Sequence, residues 1–289
     1  MGPEGWAIQL TKLLDAAHRD GPDRYPVDVR SLALQYSVQR FPDSPIKRVE
    51  ADDLDGFEGA LLPGETRKNV WGILYDSKQT AERARFTVAH ELGHYLLHRD
   101  KQPKGFWCGE DVIVRREVEG IEKEADTFAA FLLMPLHDFR ALIPPDHKPT
   151  LEELGDCARR YGVSLTAAIL RWLEYTNRRS MLVVSNEGFA RWAKASGPAF
   201  RSGKFIRTRA SVFELPGASL VATMGADVDP TVVVRQSAGV WFDEPVEESC
   251  IASSRYEMQL TLLHLGAQSA RSWHSEAPDE EDSFDRFKR

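Results

Sequence analysis

The chain has 289 residues, is 42% hydrophobic and 28% charged, and has a mean hydropathy of −0.39, a composition that excludes disordered and fibrous classes and leaves room for two cores. Its formal net charge of −7 argues against direct DNA binding, which draws its affinity from clustered Lys and Arg. No apolar run is long enough to span a bilayer, the first residues lack the basic segment and apolar core of a secretory signal, and three scattered cysteines (Cys108, Cys157, Cys250) make no disulfide framework, so a cytoplasmic protein without a membrane partner is expected.

In chain order, Trp6 to His18 predicts an amphipathic helix with Ile8, Leu10, Leu13 and Leu14 on its apolar side. Gly21-Pro22-Asp23 breaks the chain, and a second helix follows Pro26, carrying Leu32, Ala33, Leu34 and Tyr36. Strand-like segments come next at 46–49, 57–62 and 69–75. A long helix is expected from about Thr80 through His98, then a loop with Gly105, Trp107 and Gly109. Another helix runs from about Gly120 to Leu133, where Met134-Pro135 stops it. Thr150-Leu-Glu-Glu153 reads as a capping box for a helix ending at Gly162, and Ser164 caps a further helix through about Tyr175.

These last two helices resemble a helix-turn-helix. The second carries Arg171 as its only strong cation before Arg178-Arg179, which favours helix packing over base reading. From Ser180 the pattern turns to strands at 181–184, 231–234, 239–242 and 257–263, with only 188–195 reading as helix. The expected organisation is α+β: a metal-bearing domain at 1–145, a helix-turn-helix-like segment at 146–177, a mixed, β-dominated domain at 178–275, and an acidic disordered tail at 276–289.

The chemical signal is His90-Glu91-Leu-Gly-His94. On a helix, residues i and i+4 lie one above the other, so both imidazoles can reach one Zn²⁺. Glu91 beside them can take a proton from a water that the metal acidifies, the role of a general base. Val88, Leu92, Tyr95 and Leu96 give that helix an apolar stripe to bury. A catalytic zinc needs a third protein ligand. Leu97 and Asp100 stand where a metzincin pattern needs glycine and histidine. His98 lies about 12 Å along a continuous helix from His90, too far to share the ion, and is expected to pack or hydrogen-bond nearby.

A carboxylate from the later helix remains. Glu122 is assigned as the ligand with Glu124 as the runner-up, since about 200° of helical rotation keeps both from serving. Otherwise Glu124 is expected to face solvent. Asp126, one turn after Glu122, could accept the free N–H of a ligating histidine. Tyr75 and Tyr95 are candidate oxyanion stabilisers, though each residue type also packs well. The strand at 69–75 is a candidate edge on which an extended substrate could pair. The N₂O donor set suits Mn²⁺ as well as Zn²⁺.

Three blocks in order carry a family resemblance: Arg85-Phe-Thr-Val-Ala-His-Glu-Leu-Gly-His-Tyr-Leu-Leu-His98, then Glu122-x-x-Ala-Asp-x-Phe-Ala-Ala with Leu132-Leu-Met-Pro135, then Ala158-Arg-Arg-Tyr-Gly-Val-Ser164. Over about residues 25–176 the chain resembles the ImmA/IrrE family of metallopeptidases. The resemblance implies a zincin-like fold for the first domain, with His90, His94 and Glu122 as zinc ligands and Glu91 as base. Family members often carry Asn where this chain has Asp126. The resemblance further implies a protein substrate, a helix-turn-helix repressor whose cleavage relieves repression in stress, DNA-damage or mobile-element responses. By the same analogy the C-terminal domain is a candidate sensor. The rival expectation is a non-proteolytic regulator that binds a repressor through that domain and carries an inert or structural metal.

Overall fold

The computed structural model describes residues 1–19, 23–64, 69–108, 116–208, 211–224, 229, 231–253 and 258–267; the acidic tail and the side chain of Cys108 lie outside them. The described residues divide into two compact units, Met1–Asp138 with Ala158–Ser164, and Phe139–Cys157 with the residues from Leu165 onward. The division passes through the segment read as helix-turn-helix-like. The architecture is mixed α+β, as expected, and among the described residues no helix is long and apolar enough to cross a membrane.

The first unit opens with helices α1 (Pro3–Ala17) and α2 (Val29–Arg40). α2 begins at Asp28, whose side chain accepts the backbone N–H of Ser31, a cap worth about 1 kcal/mol. On α1 the expected face is half right, since Leu10 is buried and Leu14 partly so. Ala7, Leu10 and Thr11 are buried while Ile8 and Leu13 are exposed, because the helix packs against a later helix with its small residues.

A four-stranded sheet follows, built from β1 (Ile46–Asp52), β2 (Gly59–Pro63), β3 (Trp71–Asp76) and β4 (Phe106–Cys108) in the order β1-β3-β2-β4. β1 runs parallel to β3, and the other pairs are antiparallel. β3 therefore lies inside the sheet, which corrects its reading as an edge: its backbone groups are already taken by β1 and β2. Among the described residues the edges are β1 and β4.

Between β3 and β4 comes α3 (Ala81–Leu97). Thr80 caps it by accepting Arg83 N–H at 3.2 Å, and Glu82 sits favourably in its positive first turn. Thr87 through Leu96 are all buried, so the polar motif residues lie inside the protein with the apolar stripe. α4 (Arg116–Leu133) packs against α3 and α1.

In the second unit are most of α5 (Leu136–Leu142), the start of α6 (Leu151–Tyr161) and all of α7 (Leu165–Tyr175). The capping box forms as read: Glu153 N–H donates to Thr150 Oγ1, and Thr150 N–H donates to the Glu153 carboxylate. Gly162 ends α6 with a φ of +59°, the left-handed value that favours glycine there. Arg171 is buried and donates to Glu174.

The C-terminal strands β5 (Ser180–Asn186), β6 (Phe189–Ala195), β7 (Phe213–Glu214), β8 (Val234–Gln236), β9 (Val246–Ser253) and β10 (Met258–Leu265) form one antiparallel sheet, ordered β7-β6-β5-β10-β9-β8. Helices α8 (Gly197–Arg201) and α9 (Leu220–Met224) accompany it. Met181, Val183, Ala193, Cys250 and Leu263 are central to the core. Two readings are corrected here. Residues 188–195, expected as helix, contain β6, and 239–242, expected as strand, form a turn closed by Gly239 N–H on Phe242 O.

One buried carboxylate organises this unit. Glu248 of β9 is wholly buried and accepts from the backbone N–H groups of Leu220 and Val221, from Gln236 Nε2 and from Trp241 Nε1, at 2.8–3.1 Å.

Candidate metal centre

His90 and His94 project one turn apart from α3, and Glu122 reaches them from α4. Ligand atoms of the three residues all lie within 4.8 Å of one another. His90 Nε2 is 2.9 Å from His94 Nε2 and 3.1 Å from Glu122 Oε2, and His94 Nε2 is 3.4 Å from Glu122 Oε1. Ligands at about 2.0–2.1 Å around a tetrahedral ion are separated by roughly 3.3 Å, so these spacings suit one ion.

The electrostatics agree with the spacing. Burial pushes His94 down to about 4, which leaves its imidazole neutral with a lone pair to offer. Burial alone would raise Glu122, but the His90 and His94 imidazoles beside it outweigh burial and hold its carboxyl well below the usual carboxylate range. Two imidazoles and one carboxylate converging at such distances fit a divalent cation. His90 Nδ1 lies 3.0 Å from Asp126 Oδ1.

Two neighbouring features shape the site. Gly93 lets α4 approach: a Cβ there would lie 3.2 Å from Ala125 Cα and 3.0 Å from Phe128 Cδ1. Gly59 lets β2 pass over Glu91: a Cβ there would lie 2.9 Å from Glu91 Oε1 and closer still to Thr87 Cγ2. Glu91 itself is wholly buried. Phe106 of β4 stacks on His94, with ring centroids 4.4 Å apart and planes 17° apart.

Of the other residues read from sequence, Tyr95 is not brought to the cluster: its hydroxyl donates to Ser44 O at 2.6 Å and its ring packs on Phe41. Tyr75 lines a hollow of about 340 Å³ with Val27, Arg30, Arg85 and Val88. Glu124 is corrected. Although half-exposed, it does not simply face solvent, because its carboxylate meets His98 Nε2 at 2.8 Å. His98 is completely buried, with its Nδ1 3.1 Å from His94 Nδ1. Burial lowers the His98 pKa, with Glu124 opposing the shift.

Residues 46–173 match the family model described as IrrE N-terminal-like domain, Peptidase_M78. Over this stretch the chain is similar to the ImmA/IrrE family. The radiation response metalloprotease IrrE of Deinococcus deserti is 33% identical to it over 136 residues, 43% of this chain and 45% of that protein, so the chain spans under half of this relative's length. A Mycobacterium tuberculosis transcriptional regulator of known structure shares the fold, with a TM-score of 0.52 and 14% identity over 91% of this chain and 87% of that one.

Proposed function

We propose that the first unit is a zincin-like, zinc-dependent metalloendopeptidase centre, with His90, His94 and Glu122 as ligands and Glu91 as general base. The observation that carries this reading is the convergence of two imidazole nitrogens and a carboxylate on one point, one residue away from a buried glutamate. A bound zinc would supply Lewis acidity there, lowering the pKa of a water to about 7 and polarising a carbonyl. Glu91, held under the Gly59 backbone, takes the proton of the attacking water and returns it to the leaving amine. Asp126 holds the His90 ring in place. Manganese suits the same donors.

A substrate segment would pair on β4 rather than β3, since β4 is the edge beside His94. The substrate we favour is a helix-turn-helix repressor, cleaved in the cytoplasm during a stress, DNA-damage or mobile-element response, with the C-terminal sheet unit as sensor. The family and the radiation-response name of the Deinococcus relative support that choice.

The test is co-expression with helix-turn-helix repressors encoded near its gene. Wild type is expected to clip its substrate, and Glu91→Gln to keep the metal but leave the repressor intact. Clipping by Glu91→Gln at the wild-type rate would end the scheme.

A further inference from the structure

We propose that Glu124 and His98 form a proton-setting relay behind His94, which aims the Nε2 lone pair of His94 into the cluster with His90 and Glu122. The proposal rests on reading that cluster as the metal site. It concerns two positioning residues, neither of which touches the ion.

The argument follows the hydrogens. A carboxylate has no proton to give, so at 2.8 Å from Glu124 Oε2 the Nε2 of His98 must carry hydrogen and donate. A neutral imidazole with its proton on Nε2 has an acceptor at Nδ1. That acceptor faces His94 Nδ1 at 3.1 Å, so His94 must donate from Nδ1. Its one proton is then spent, and Nε2 presents a lone pair 2.9 Å from His90 Nε2 and 3.4 Å from Glu122 Oε1. With an ion in the cluster, His90 would reach the same state in one step, by donating from Nδ1 to Asp126. His94 reaches it in two, because the side chain one helical turn beyond it is itself a histidine with two possible tautomers.

The placement suits this role. His98 is the C-cap of α3, its backbone N–H bonded to His94 O at 2.8 Å, so its ring is held close behind the His94 ring. It is completely buried, which prevents water from deciding its tautomer. Without Glu124, His98 can place its proton on Nδ1 and donate to His94. The His94 proton would then sit on Nε2 and block the ligand position.

Glu124→Ala, at a half-exposed position, and His98→Phe, which keeps a ring, test the relay. Zinc dissociation constants come from competition with a chromophoric chelator. Imidazole tautomers of the metal-free protein come from long-range ¹H–¹⁵N correlation spectra. Wild type is expected to show His94 with its proton on Nδ1. Glu124→Ala should transfer a measurable population to Nε2 and weaken zinc binding by about tenfold or more, with metal-free melting unchanged, and His98→Phe should weaken it further. Unchanged zinc affinity in Glu124→Ala overturns the relay. If wild type takes up no zinc, the metal reading fails and the spectra alone decide: a His94 proton that stays on Nδ1 in Glu124→Ala overturns the relay in that case too.

Discussion

Gly93 of α3 lies against Ala125 of α4 so closely that a methyl group on Gly93 would sit 3.2 Å from the Ala125 Cα and 3.3 Å from its carbonyl oxygen. This approach brings Glu122 within reach of His90 and His94. Replacing Gly93 by Ala relieves the helix of a poor former, a gain of about 1 kcal/mol, but overpacks a tight interface at a cost of about 1–3 kcal/mol. We expect Gly93→Ala to separate the helices slightly and weaken metal affinity about tenfold, an effect a chelator titration would register. Affinity equal to wild type would mean the interface yields elsewhere.

The proposed ligands come from two helices, so an ion there ties them together. Metal at a hundredfold excess over its dissociation constant stabilises the native state by about 2.7 kcal/mol. Thermal melts with zinc and with EDTA should differ accordingly, and Glu122→Ala should erase the difference. A metal-dependent shift that survives Glu122→Ala would assign the binding elsewhere.

The second unit has its own pH dependence. His264 of β10 is buried, accepts from Ser180 Oγ at Nδ1 and donates from Nε2 to Pro149 O. Burial pushes its pKa from 6.5 down to about 4. Below pH 6.5 the unfolded chain takes up a proton that the folded protein refuses, so stability present above 6.5 is lost as pH falls towards 4. The full loss is about 3 kcal/mol. Urea midpoints of wild type and His264→Gln should show a flatter profile for the variant between pH 6.5 and 4. Parallel profiles would show that His264 titrates normally.

Glu248 has four donors aimed at it from Leu220, Val221, Gln236 and Trp241. Removing the carboxylate strands all of them in a dry interior. Glu248→Ala should cost about 3–5 kcal/mol, read by urea unfolding, and should perturb Trp241 emission. Glu248→Gln keeps one acceptor and is expected to lie between. A neutral effect of the alanine variant would mean that water enters the space.

Much of the first unit was legible in sequence because its signals are local. Thr80 and Asp28 cap helices, Thr150 and Glu153 make a box, and the i, i+4 spacing of His90 and His94 holds on any helix. What failed depended on partners far along the chain. β6 has the Ala, Arg and Lys of a helix, but pairing with β5 overrides that preference. A signal was present nonetheless: Glu187 and Gly188, with φ values of +50° and +82°, make the two-residue turn joining Asn186 to Phe189. The bond between His98 and Glu124 was hidden by treating α4 as a wheel with one inward face, whereas a long side chain reaches around the helix. Nothing local marks Glu248 as buried, since acidic residues alternate through many exposed strands.

Phe106 is both a rung of the edge strand β4 and the plate stacked on His94. A segment that lengthened the sheet at β4 would pull on that rung, and the pull would reach the imidazole through ring contact. Registration of an incoming chain and the tilt of the His94 ring, a proposed metal ligand, would thus be mechanically one variable. A tightly seated but misaligned segment would distort the site it approaches, so selectivity here can reside in how a chain lies as well as in which side chains it carries.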